Sequence, residues 1–414
     1  MLPKIDGKYL FILPLPSSSP KEHNATLYGV VYAFTDAAFN LIGKKELLIC
    51  KGLSYKLPSP SYLFAQGIDP YTIKTAPTEY EFYQKLKAIL TTPNTDVFTW
   101  SLHNLKIARK LALRLADVDA FDNLQSLVDV NKLVKLDEYF ATGNIFASDS
   151  LLLCANHCLF TQKIAYDDHE GKLDALIYLV KHLCDNSYAL LQYCTQGRTF
   201  NLKKFESAIA KRQTLLDLNL QKRQLEILLP LALDKAQKNV SALVFDGQSV
   251  VYKNLELCDF GIWSPSSVLT PQRVQTTKFD LNEANSTLLS TDVSKLNFDT
   301  SSISEEQRFL TSLSDKDREY YLNLRFANKH GITSPELCYS KTLRQLVFLL
   351  RGNNFANTLI DQELQFFYQH CRKMLLEGAV VYSKELALLA NKIDENNESQ
   401  LKLVDKIGSY LNNL

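Results

Sequence analysis

Apolar and polar positions change their period several times along this chain. Three short apolar runs come first, at 8–13 (KYLFIL), 26–34 (TLYGVVYAF) and 39–50 (FNLIGKKELLIC). They are rich in β-branched and aromatic residues and read as three strands, the last turning at Gly43. Residues 78–90 then show helical spacing behind Thr78, an N-cap residue; 96–100 reads as a fourth strand and 103–117 as a second helix. Three successive strands followed by alternating helix and strand predict a mixed sheet with an antiparallel edge.

Helical spacing continues at 121–135, 148–159 and 169–197. The stretch 201–239 reads as nearly all helix, broken or kinked at Pro230. Asp246-Gly247 stands between two alternating runs in 241–252, a hairpin signal. Residues 265–303 are rich in Ser, Thr, Asn and Asp and predict a connection over the surface. From 304 onward the pattern is helical, with Ser304 as a cap and later starts near Ser340, Leu359 and Ser383. The expected organisation is an α/β domain at 1–200, a helical connector with a short hairpin and polar linker at 201–303, and a mainly helical domain at 304–414.

Composition narrows the class. The chain has 414 residues, 46% hydrophobic and 22% charged, as in soluble globular proteins. A net charge of +1 means that any basic groove must be local. Eight irregularly spaced cysteines predict reduced, mostly buried thiols and a cytoplasmic protein. No run is long and apolar enough for a membrane span, and YLFILPLP, broken by Pro14 and Pro16, reads as strand and loop, not as a signal peptide.

The candidate chemistry centres on residues 166–180, YDDHEGKLDALIYLV, where His169 lies five residues before Asp174 at the start of a helix. One and a half turns apart, the two can face one cavity, one as general base and the other on a metal. A structural role suits them too: a histidine hydrogen-bonding near a helix start, an aspartate paired with a lysine. Asp167, Asp168 and Glu170 suit a helix N-terminus on dipole grounds or one weakly held cation. Cys154 and Cys158 share a helix face, but no second ligand pair follows, which predicts free thiols.

Several motifs, in order, resemble bacterial exonuclease I, a DEDD-type 3′→5′ exonuclease of single-stranded DNA. FNLIGKKELLIC leading to Gly67-Ile68-Asp69-Pro70 resembles that family's strand and G-I-T-P turn. TEYEFYQKLKAILTTPNTDVFTW resembles its next helix and strand, and His169 with Asp174 its H-x4-D signature. RGNNFANTL at 351–359 is similar to its R-A-R-N-F-P-x-T-L, SLSDKDREYY at 312–321 to its F-F-S-D-x-D; Glu363, Gln365, His370 and Arg372 stay in register, with Phe367 replacing a tryptophan. The resemblance implies an RNase H-like exonuclease domain followed by the family's helical C-terminal domain. It implies DNA-contact candidates in Arg351, Phe355 and Arg372, with Arg344, Lys373, Phe367 and Tyr368 nearby. It also implies a possible site for the acidic tail of single-stranded DNA-binding protein at Lys211, Arg212, Lys222 and Arg223, beside Lys203 and Lys204. Helix packing and solvated surface charge explain these residues as well.

The chain departs from the family in two ways. The helical reading of 201–239 leaves no place for the small β-barrel between the two domains. The D-x-E that ends the family's first strand falls on Pro14 and Pro16, and the aspartate of its second motif on Lys106. Residues 11–16 contain no acid, so Asp174 remains as the single metal ligand of four. The expectation is a catalytically inactive relative that needs no cofactor and binds single-stranded DNA or a replication-repair partner. Two alternatives stand beside it: an Mg²⁺-dependent exonuclease with relocated acids such as Asp6, Asp168 and Glu170, and an interaction scaffold without nucleic acid.

Overall fold

The computed structural model describes residues 8–19, 25–117, 126–165, 167–195, 198–220, 222–234, 239–256, 263–265, 269, 271–276, 280–292, 298–299, 305–324, 338–391, 393 and 397–412. Asp6, Ser304 and parts of the 265–303 connection lie outside them.

The first region runs β1 (Lys8–Pro16), β2 (Leu27–Thr35), β3 (Leu41–Ile49), α1 (Pro60–Gln66), α2 (Pro70–Thr75), α3 (Glu79–Leu90), β4 (Thr95–Thr99), α4 (Leu102–Arg114), β5 (Ser126–Asp129), α5 (Val130–Thr142), α6 (Leu151–His157), α7 (His169–Asn186), α8 (Tyr188–Cys194) and α9 (Arg198–Ala210). The sheet order is β3-β2-β1-β4-β5. β1, β2 and β3 pair antiparallel, and β4 and β5 extend the sheet parallel to β1. This is the mixed sheet with an antiparallel edge that the apolar runs predict. Its central strand carries no charged or amide residue after Lys8, because both faces are covered. Tyr9, Phe11 and Leu13 pack in one core with Leu173, Leu176 and Val180 of α7, while Leu10 and Ile12 pack in the other with Phe82 of α3 and Leu105 of α4. Thr78 caps α3 in a reciprocal box with Glu81.

Three local expectations change. Gly43 sits within β3 at φ +85° and does not end it. The helix expected at 121–135 starts at Val130, because Ser126–Asp129 join the sheet first. The helix expected at 169–197 breaks at Ser187 into α7 and α8.

The middle region is the largest correction. Among the described residues, only α9 (Arg198–Ala210) is helical in the stretch expected to be helix. β6 (Leu215–Asn219) and β7 (Gln224–Asp234) follow, with β8 (Asn239–Phe245), β9 (Val250–Glu256), β10 (Ser264–Pro265) and β11 (Phe298–Asp299), in a six-stranded sheet of order β10-β6-β7-β8-β9-β11. A middle β layer is therefore present. Pro230 lies inside β7, beside a register irregularity at Pro230/Ala232, where a missing N–H is tolerated. Asp246-Gly247 makes the expected β8–β9 turn. Leu215, Leu228 and Val240 pack with Phe205 of α9, and Leu216, Ile227 and Leu229 with Leu288 on the other face. That second cover is a helix of the connection, α11 (Leu281–Ser290), which follows the short α10 (Pro271–Thr276).

The last region is helical as expected: α12 (Glu305–Ser312), α13 (Asp315–Asn323), α14 (Lys341–Asn354), α15 (Asp361–Ala390) and α16 (Glu398–Asn412). Ser340 caps α14, but Ser383 lies inside α15, one continuous helix of 30 residues. This region closes back on the first. Asn353 accepts from the Ser54 N–H at 2.7 Å and Asn354 from the Tyr80 N–H at 2.8 Å. Ser59 donates to Glu385 at 2.7 Å, and Lys406 pairs with Asp69 at 2.7 Å. Tyr382, Leu403 and Ile407 share a core with Leu15, Tyr28 and Leu63.

Candidate functional site

The site expected from the sequence lies where α7 begins over the sheet. Asp168 caps that helix, its carboxylate accepting from the Gly171 N–H at 2.8 Å. Asp168 is thereby engaged in local structure. Gly67, at φ +64°, ends α1 against this loop; a Cβ there would stand 2.5 Å from Asp167 Cβ, so only glycine allows the approach. His169 is the first residue of α7, and its Nδ1 is buried without a hydrogen-bond partner. Burial, reinforced by the Lys172 ammonium, lowers its pKa to about 4, so the ring is neutral at neutral pH.

Asp174, one and a half turns on, is held by Lys45, whose Nζ stands 2.6 Å from its carboxylate. The lysine side chain is 14% exposed and the aspartate 35%. Lys45 reaches it because β3 is irregular. Tyr32 and Phe34 of β2 are two residues apart, yet they pair with Glu46 and Ile42, four apart. The extra residues make a bulge around Gly43, which re-aims a side chain from the sheet edge. The structural role weighed for Asp174, pairing with a lysine, is the one it has here.

The end of β1 brings no carboxylate to meet this pair. Residues 11–16 are buried, and strand alternation places Pro14 on the face of Leu10 and Ile12, away from the Leu13 face that packs with α7. A shift of one residue either way offers Leu13, Leu15 or Ser17, none of them an acid. Lys106 stands half-buried on α4. Among the described residues, no three His, Cys, Asp or Glu gather closely enough to hold a metal ion. A pair of divalent ions needs several carboxylate oxygens to offset its charge. Among the described residues, an ammonium already pairs with Asp174, so this donor set does not fit an Mg²⁺ pair.

The basic candidates are largely engaged within the fold. Lys222 pairs with Asp246, and Arg223 donates to the Ala147 carbonyl at 2.6 Å. Arg212 reaches the Leu289 carbonyl at 3.4 Å, while Lys211 and Lys203 are exposed. Lys204 lies against the Tyr193 hydroxyl and the Trp263 carbonyl, and burial lowers its pKa to about 8. In the C-terminal region Arg351 is buried and grips Glu363 with two nitrogens, at 3.0 and 3.2 Å. Phe355 is buried edge-on to Tyr80 at 4.8 Å, and Phe367 is buried too. These three hold the domain together, which leaves Arg344, Arg372, Lys373 and Tyr368 as the exposed members. Cys154 and Cys158 are free thiols, both shifted upward by burial, Cys154 to about 11.

The neutral His169 makes a prediction about pH. Its folded-state pKa lies below the ordinary 6.5, so the unfolded chain binds the proton more readily. Its contribution to stability is complete above pH 6.5, falls as pH drops toward 4, and stays level below that. His169→Gln should therefore flatten the urea-midpoint profile between pH 6.5 and 4. Equal slopes in variant and parent would refute the buried neutral ring.

Comparison with known proteins places these observations. The model of the exonuclease I C-terminal domain matches residues 308–414. No curated protein matches the sequence. Among solved structures, a product-bound exonuclease I shares the fold at TM-score 0.77 with 18% identity, over 99% of this chain and 100% of that one. E. coli exonuclease I in complex with a dA16 oligonucleotide gives 0.73 and 17%, over 98% and 99%. A complex of exonuclease I with the SSB C-terminus gives 0.72 and 16%, over 98% and 99%. The protein is thus exonuclease I-like: it carries that family's C-terminal domain on a fold that follows exonuclease I from end to end.

Proposed function

We propose that this protein binds single-stranded DNA, or a partner from DNA replication and repair, on an exonuclease I scaffold without cutting the strand. The observation that carries this reading is the 2.6 Å contact between Lys45 Nζ and Asp174. A nuclease metal ion and this ammonium compete for the same carboxylate, and like-charge repulsion at close range disfavours the ion. The acid-free end of β1 and Lys106 support the same conclusion. Binding is supported by the fold, since its solved neighbours include an oligonucleotide complex and an SSB C-terminal complex. Exposed Arg372 and Tyr368 would offer charge and a stacking face, and Lys211 and Lys203 a local basic patch for a phosphate or an acidic tail.

The test is paired. End-labelled single-stranded DNA should stay intact with Mg²⁺ or Mn²⁺, while anisotropy shows binding that weakens as salt rises. Arg372→Ala should shallow the log–log salt slope by about one if it meets a phosphate. Degradation that disappears in Asp174→Ala would overturn the inactive reading. Intact DNA with no binding at low salt would leave an interaction scaffold.

A further inference from the structure

The outward face of α15 is unusual for a surface helix. Its inner side buries Phe367, Cys371, Tyr382 and Leu389 against the rest of the protein. The opposite side carries Leu376, Val380, Val381 and Leu388, which are 65%, 60%, 59% and 62% exposed. At 3.6 residues per turn, Leu376, Val380, Lys384 and Leu388 follow each other at four-residue steps, with Glu377 and Val381 beside them. A surface helix normally presents polar residues here, and a contiguous apolar strip marks an interaction site.

We propose that this strip pairs with the same strip of a second copy of the chain, the two α15 helices running antiparallel about a twofold axis between Val380 and Val381. The charges on the strip select both occupant and direction. Residues equally far from such an axis face each other. Val380 meets Val381 of the partner subunit, and Glu377 meets Lys384 of the partner subunit. Symmetry supplies each contact twice. Lys373 faces Leu388 of the partner subunit and lays its aliphatic stem along it. A parallel arrangement would instead set Glu377 on Glu377 and Lys384 on Lys384, which like-charge repulsion disfavours. Among the described residues of one chain, the ion pair of Glu377 is an exposed contact to Lys373, at 3.9 Å. That pair gives it little to lose. The strip spans about four turns, roughly 20 Å, so the buried area falls below the roughly 1,200 Å² of stable complexes and the dimer is weak and concentration-dependent.

The test uses the full chain in sedimentation velocity over a range of about 1 to 300 μM, suited to a small interface. The expected result is a mass rising toward two chains. Val381→Asp should hold it at one chain with an unchanged circular dichroism spectrum. Glu377→Lys and Lys384→Glu should each weaken self-association about tenfold, as juxtaposed like charges do. Mixed in equal amounts, these two single variants should pair with each other, because each then presents the charge the other lacks. A single-chain mass at every loading would overturn the proposal. So would association that Val381→Asp leaves intact, or single variants that fail to pair when mixed.

Discussion

Glu79→Ala is expected to destabilise the protein by about 3–5 kcal/mol, the range for breaking a buried ion pair from one side. Glu79 Oε1 lies 2.6 Å from Arg114 Nη2, and the two side chains are 2% and 12% exposed. The same oxygen accepts from Thr26 Oγ1 at 2.7 Å, and Arg114 also donates to the Ala25 carbonyl at 3.0 Å. The carboxylate therefore ties α3, α4 and the entry to β2 together. Removing it leaves a guanidinium that water reaches poorly and a hydroxyl without its acceptor. Glu79→Gln keeps an acceptor and should lose about half as much, since the charge but not the hydrogen bonding is gone. Urea denaturation of the three proteins decides the matter. A loss below about 1 kcal/mol in Glu79→Ala would mean that the pair behaves as a surface one.

Gly29→Ala should cost about 3 kcal/mol, the upper end for forcing a methyl into a packed site. A Cβ at Gly29 would stand 2.1 Å from the Leu48 carbonyl oxygen and 3.2 Å from Ile49 Cα. These are backbone atoms of the neighbouring strand, so no rotamer change relieves the contact. The strand must move, and Gly29 pairs with Ile49 at the end of β3. Hydrogen exchange should accordingly speed up at the Cys50 amide, which donates to the Tyr28 carbonyl at 2.7 Å. Unchanged protection there, with unchanged stability, would refute the clash.

The success of the sequence reading follows from where local chemistry and tertiary structure agree. Thr78 announces a helix start, Asp246-Gly247 announces a turn, and the first strands are rich in residues that favour sheets. Residues 215–234 failed for the opposite reason. Their apolar positions are mostly leucine, a good helix former, and Ile227 is the one β-branched residue among them. Both faces of β6 and β7 are covered, so the alternation that marks a half-buried strand is blurred. Pairing with β8, not local preference, decides their form. At the site, His169 and Asp174 were legible because they lie on one helix. Lys45 was not: 129 residues separate it from Asp174, and a bulge in β3 determines where it points. No spacing rule connects them. Arg351 and Phe355 left two readings open in the sequence, because a basic residue beside an aromatic one looks alike whether it faces a nucleic acid strand or a neighbouring helix.

The closure of the last region on the first has a consequence for synthesis. The Ser54 N–H finds its acceptor 299 residues later, on Asn353. At about 5–20 residues per second, the ribosome needs roughly 15–60 s to make that stretch. Throughout that interval Tyr28, Leu57 and Leu63 lack the Tyr382 and Ile407 side chains that share their core. The nascent α/β domain therefore waits with an uncovered apolar surface, and a chaperone has its best opportunity to hold the chain before α15 and α16 emerge.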